Sequence, residues 1–212
     1  MMKPPIRYLA IGDSLTVGVG GSIFSTGFIG PYATVTTDTL RIPVQTHLLA
    51  KSGRTSGELY SALKTLPTQW LTTCSLVTIT AGSNDMLRAA RTYMITKDEK
   101  VLKEALSQII HQLKKMITFL YSFQPTHPPL IRIANLYNPW PHDNVFNTWV
   151  VACNSALLSL ETPRIAVADV YAQFEGNIPH YLSFDDLHPN DAGYRAMAYA
   201  FYKEGYEGLK TQ

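Results

Sequence analysis

Four short segments contain residue types that could together perform acyl transfer. The first is Gly12-Asp13-Ser14-Leu15-Thr16, directly after an apolar run. A serine on such a turn can offer its hydroxyl as a nucleophile, but a hydroxyl is weak without a base. Asp185-Asp186-Leu187-His188-Pro189-Asn190, near the C-terminus, supplies one. A histidine takes the serine proton, and a carboxylate three residues earlier on a tight turn fixes its tautomer. Asp185 has that spacing; Asp186 is expected to face solvent or a backbone N–H. Ser52-Gly53-Arg54-Thr55 contributes a glycine whose amide can approach a ligand closely. Gly82-Ser83-Asn84-Asp85 contributes a side-chain amide of the kind that stabilises an oxyanion.

Each segment also has a plainer reading. Asp13 or Ser14 could cap a helix, Gly53 could serve a turn, and Ser83, Asn84 or Asp85 could form a turn and N-cap. His188 could lie solvated in a loop that leads into a helix. His142 is the second candidate base, since it follows a strand and precedes Asp143, but its neighbours Pro141 and Asp143 offer no carboxylate three residues earlier. An α/β-hydrolase elbow is disfavoured, because Thr16 occupies the second glycine position.

These segments need a scaffold that brings them together. Apolar runs at 8–12, 75–81 and 130–136 read as buried strands, with weaker candidates at 44–49 and 164–170. Leu102, Leu106, Ile109, Leu113, Met116 and Leu120 fall on one helical face. Thr96 and Glu99 just before them read as a capping box. Further helices are expected over 144–160 and after Pro189, the latter with Asn190 or Asp191 as N-cap and Gly205 or Gly208 near its end. Shorter ones are expected over 28–40 and 56–63. Alternating strands and helices predict a parallel sheet covered on both faces. Ligands in such folds bind at the C-terminal ends of the strands, where Ser14, Gly53 and Asn84 fall.

Composition narrows the class. A chain of 212 residues with 46% hydrophobic and 16% charged residues suits one globular domain, 1–212. A net charge of +2 without a long basic run gives no footprint for nucleic acid. No apolar stretch is long enough for a membrane span. The N-terminal apolar run breaks at Asp13-Ser14, too early for a signal peptide, so a cytoplasmic location is expected. Cys74 and Cys153 read as buried, reduced thiols, and no CxxC or HxxxH spacing suggests a metal site. Phe28, Tyr32, Tyr137, Trp140, Trp149 and Tyr181 lie in or near strand-end segments, where they could line an acyl pocket or simply pack.

Taken together and in this order, the four segments resemble the SGNH, or GDSL, hydrolase family. Gly12-Asp13-Ser14-Leu15 is the GDSL motif itself. Ser14, Gly53, Asn84 and His188 match the four residue types that name the family. Gly82 to Asp85 fits its Gly-x-Asn-Asp block and Asp185 to His188 its Asp-x-x-His block, so the likeness spans residues 8–190. The resemblance implies a three-layer α/β/α, flavodoxin-like fold with a five-stranded parallel sheet. It implies hydrolysis of esters or thioesters without a cofactor or metal. It also implies Ser14 as nucleophile, His188 as base, Asp185 as its acid, and an oxyanion hole of Ser14, Gly53 and Asn84. Small bacterial GDSL lipases and esterases, spore-associated lipases among them, are the nearest in character. The expected substrate is a small-molecule or lipid ester, with a carbohydrate acetylesterase on the same site as the alternative. From another class, a non-catalytic flavodoxin-like module could cradle a phosphate or flavin on Gly18, Gly20 and Gly21. The lack of GxGxxG there counts against it, and it leaves the Asp185–His188 pair without a role.

Overall fold

The computed structural model describes residues 4–209. Along the chain run β1 (Ile6–Gly12), α1 (Ser14–Val17), α2 (Ile29–Leu40), β2 (Val44–Ala50), α3 (Ser56–Leu63), α4 (Thr68–Thr73) and β3 (Leu76–Thr80). Then come α5 (Ser83–Thr96), α6 (Lys100–Ser122), β4 (Leu130–Ala134), α7 (Asn144–Leu158), β5 (Ile165–Ala168), α8 (Val170–Phe174), α9 (Ile178–Tyr181) and α10 (Asp191–Lys203). The five strands pair in parallel in the order β2-β1-β3-β4-β5.

The strand side chains alternate between two cores. Leu9, Ile11, Val77, Ile79, Ile131, Ile133, Ile165 and Val167 meet Leu59, Met86, Ile109, Leu113 and Val150 of α3, α5, α6 and α7 on one face. Tyr8, Ala10, Leu76, Leu130 and Ala168 meet Tyr32, Phe174, Tyr194, Met197 and Phe201 of α2, α8 and α10 on the other. The strands are near-continuous apolar runs because both faces are covered. β2 is one of the two edge strands and only half-buried, which explains its weaker signal. Arg132 breaks the apolar run of β4 yet is buried; its guanidinium donates to Glu204 O and Gly205 O at the end of α10.

Two local expectations need correction. Thr96 and Glu99 do not form a capping box: Thr96 is the last residue of α5 and its hydroxyl donates to Thr92 O, while Glu99 makes no side-chain cap. An N-cap side chain needs extended backbone ahead of the helix, and Thr96 is already helical. The capping box lies instead at Thr55 and Glu58, where α3 begins. Nor does Ser83, Asn84 or Asp85 cap α5; Gly82, at φ 109°, holds that position and all three fall in the first turn.

At the carboxyl end of β1 a buried polar cluster locks the next turn. Asp13 is 1% exposed. Its Oδ1 accepts from the Thr80 hydroxyl at 3.0 Å and from the Leu15 N–H at 3.1 Å. The Thr80 hydroxyl also lies 2.8 Å from that of Thr16. Asp13 Oδ2 has no protein partner among the described residues. Burial pushes the Asp13 carboxyl up to about 6, although the Leu15 amide, the Thr80 hydroxyl and His188 pull the other way. Gly12 is required beside this cluster, since a Cβ there would overlap the Thr16 and Thr80 hydroxyls.

Two stability predictions follow from this cluster. Gly12→Ala should cost about 1–3 kcal/mol, because the core must shift to admit one methyl group; equilibrium urea unfolding measures it, and a neutral change contradicts the packing. Asp13 has a folded pKa of about 6 against 3.8 for the free group, so the native state holds the proton more tightly. Its contribution is fully present below the unfolded value and is lost as pH rises through the folded one. The shift amounts to about 3 kcal/mol. Asp13→Asn should therefore gain up to about that much relative to wild type between about pH 4 and pH 7. The same unfolding measured at both pH values checks it, and a pH-independent difference contradicts it.

Candidate active site

Ser14 is the first residue of α1, carried at the edge of the sheet by the Asp13 turn. Its amide is one of the helix-start N–H groups that lack an intrahelical acceptor. Its hydroxyl lies 3.0 Å from His188 Nε2. The other ring nitrogen, Nδ1, lies 2.6 Å from Asp185 Oδ2. With the carboxylate accepting from Nδ1–H, Nε2 is the free acceptor for the Ser14 proton.

Asp185 is held from several sides. Its Oδ1 accepts from the Ser183 hydroxyl at 2.8 Å, the His188 N–H at 2.9 Å and the Leu187 N–H at 3.1 Å. Burial alone would raise its pKa. The His188 amide and ring, with Ser183 and Leu187, outweigh that and hold the carboxyl well below the usual range. Asp186 instead sits exposed at φ 52°, its N–H donating to Ser183 O at 3.1 Å. The loop closes as a narrow hairpin, with Ser183 N–H donating to His188 O and Asn190 N–H to Tyr181 O. Asn190 also caps α10.

Gly53 adopts φ 82°, and its N–H engages no acceptor among the described residues. Asn84, on the first turn of α5, donates from Nδ2 to Arg54 O at 3.0 Å, which leaves its second amide proton for a ligand. Three contacts from α5 thus hold the loop after β2: this one, Arg88 to Gly53 O at 3.1 Å, and Asp85 accepting from the Ser56 N–H and hydroxyl at 2.9 and 2.7 Å.

Ser14, Gly53, Asn84 and His188 line one cleft of about 190 Å³. Its walls are Leu15, Met86, Leu87, Leu136, Pro139, Phe146 and Val150. Of the six aromatics singled out in the sequence, only Tyr137 lines it. Phe28 and Tyr32 are fully buried beneath α10, and Trp149 and Tyr181 pack against the cores. His142 is exposed in the loop after β4 and does not line the cleft. Gly18, Gly20 and Gly21 make no phosphate cradle. Gly18 meets Gly27, Gly20 sits against Pro189 O and the His188 side chain, and Gly21 meets Ser25.

Sequence reasoning missed Arg88, and it missed the loop-bracing contacts of Tyr137, read there only as a candidate pocket aromatic, and of Asp85, read there as a turn or cap residue. The Tyr137 hydroxyl donates to Leu187 O and steadies the His188 loop from the segment after β4. Only the two acid and base residues of α5 at turn spacing, Asp85 and Arg88, hinted at a helix anchoring a neighbouring loop.

Residues 10–196 match the GDSL-like lipase/acylhydrolase family. The chain is 34% identical to the spore germination lipase LipC of Bacillus licheniformis over 209 residues, covering 97% of this chain and 99% of that one. It superposes on the lipase Lip_vut3 from a goat rumen metagenome with a TM-score of 0.90 at 35% identity, covering 95% and 98% of the two chains. A catalytic mutant of the acetylxylan esterase Axe2 from Geobacillus stearothermophilus shares the fold, with a TM-score of 0.72 at 18% identity over the whole of both chains. The chain belongs to the GDSL-like lipase/acylhydrolase family.

Proposed function

We propose that this chain acts as a single-domain serine esterase on aliphatic, lipid-type esters. The observation that carries the reading is the continuous relay from Asp185 through His188 to Ser14, at 2.6 and 3.0 Å. His188 Nε2 removes the Ser14 proton as Oγ attacks the ester carbonyl. The resulting imidazolium is stabilised by Asp185, which stays ionised because four hydrogen bonds favour its charged form. The negative charge on the carbonyl oxygen meets the N–H groups of Ser14 and Gly53 and the free amide proton of Asn84. Collapse breaks the ester C–O bond, and His188 returns the proton to the departing alkoxide. Water then attacks the acyl-enzyme by the same route.

The apolar walls of the cleft support an aliphatic acyl group. The likeness to Axe2 is one of fold and lends no weight to an acetylated sugar. The name of the Bacillus licheniformis relative supports a spore lipid as the ester. No helix among the described residues is long and apolar enough to cross a membrane, and the free buried thiols Cys74 and Cys153 suit a reducing, cytoplasmic setting.

A fluorophosphonate probe should label the wild-type protein and not Ser14→Ala. Turnover of p-nitrophenyl esters should fall by about 10⁶ in that variant, as in a comparable triad. A folded Ser14→Ala protein with normal turnover would overturn the reading.

The two acids of the His188 loop should separate sharply. Asp185→Asn favours the wrong imidazole tautomer, with an expected loss of about 10⁴ in kcat. Asp186→Asn removes only an exposed charge and should cost less than about tenfold. Both are assayed at one pH after circular dichroism confirms folding. A larger loss in Asp186→Asn would reassign the acid.

A further inference from the structure

Helix α5 reaches away from the proposed oxyanion site, and its cleft-facing side has a definite order. Asn84, Leu87 and Arg91 stand at i, i+3 and i+7, on one helical face. All three line the cleft together with Ser14 and His188. At 1.5 Å per residue, Arg91 lies about 10 Å along the axis from Asn84. Between them the walls are apolar: Leu87 on α5 faces the cleft from one side, and Leu136, Phe146 and Val150 from the other.

The cleft therefore combines the polar reacting groups with apolar walls and, about two turns along α5 from Asn84, an exposed cation. No aspartate or glutamate lines it. Asp85, the nearest acid on α5, turns to Ser56. Arg88 is committed to Gly53 O and Glu58. Among the described residues, Arg91 makes no hydrogen bond or ion pair, so its five donors remain available. A planar guanidinium on the rim of a cleft with apolar walls is suited to a carboxylate or phosphate, which it can grip with two parallel hydrogen bonds.

Building on the serine-esterase reading, we infer that Arg91 selects esters bearing an anionic group toward the Arg91 end of the cleft, at a separation set by the roughly 10 Å backbone rise from Asn84 to Arg91 and the reach of the arginine side chain. The shared chemistry is a terminal carboxylate or phosphate joined to the ester through a short spacer, a methylene chain on the acyl side or a glycerol on the alcohol side. Two sources fit. The anion can end the acyl chain, as in a half-ester of a dicarboxylic acid, or belong to the alcohol, as in a lysophosphatidate.

The test uses two matched pairs on the full chain. The first is mono-p-nitrophenyl suberate against p-nitrophenyl octanoate. The second is a lysophosphatidate against the monoacylglycerol of the same acyl chain. The ratio of kcat/KM, anionic over neutral, is measured for wild type, Arg91→Gln, Arg91→Lys and Arg91→Glu. In at least one pair the ratio should fall about tenfold in Arg91→Gln, mainly through KM, and further in Arg91→Glu. Arg91→Lys should restore part of it, and added salt should lower the wild-type ratio. A response in the suberate pair alone places the anion on the acyl side; one in the lysophosphatidate pair alone places it on the alcohol. A ratio unchanged by Arg91→Gln in both pairs overturns the inference while leaving the esterase reading intact, since neutral esters still turn over in wild type. A wild-type protein that neither turns over the neutral esters nor takes up the fluorophosphonate overturns both.

Discussion

The position of Ser14 depends on a buried carboxylate. Asp13, fixed by the Thr80 hydroxyl and the Leu15 amide, ties the turn after β1 to the end of β3. Thr16 closes the cluster through its contact with Thr80, and Gly12 leaves room for both hydroxyls. The arrangement has a cost, since burial makes the ionised form of Asp13 unfavourable. In return the turn has little freedom, which gives the proposed nucleophile a fixed direction of approach.

His188 reaches that serine from the opposite end of the chain. Its loop is a closed hairpin braced by Asn190 and by Tyr137, and the strand-one loop packs beneath it at Gly20. Asp185 is the centre of the loop. The same carboxylate orders the backbone through the Leu187 and His188 amides and orients the imidazole. Structure and electrostatics thus coincide in one group: the bonds that shape the loop are those that keep the acid ionised.

Helix α5 organises the other half of the site. Asn84 and Arg88 hold the carbonyls of Arg54 and Gly53, and Asp85 anchors the start of α3. The Gly53 amide is therefore positioned by a neighbouring helix as well as by its own turn, in which the Arg54 N–H donates to Lys51 O. Along its cleft-facing side the same helix carries Leu87 and Arg91. A single rigid element consequently sets the geometry of the proposed oxyanion donors and the distance from them to the distal cation.

The sequence by itself determined the strands, the helices α2, α3, α6, α7 and α10, and the identity of the family, because apolar runs and turn residues are local signals. The GDSL, Gly-x-Asn-Asp and Asp-x-x-His blocks are local too: each is held within one turn. It also favoured Asp185 over Asp186 as the neighbour of His188, since three-residue spacing on a turn is a short-range constraint. Helix α5 was not legible beyond its first turn, because Ser83, Asn84 and Asp85 suit a plain turn as well as a helix start. The capping box was misplaced for a related reason: Thr96 and Glu99 have the right types, but α5 already occupied the position. Only the tertiary structure decided which aromatics are core, since Phe28 and Tyr32 fall beneath α10, more than 150 residues away in the chain. It alone brought His188 across 174 residues to Ser14 and turned Arg91 toward the same cleft. Such juxtapositions depend on how the sheet stacks its crossover connections, and no local pattern of residues encodes them.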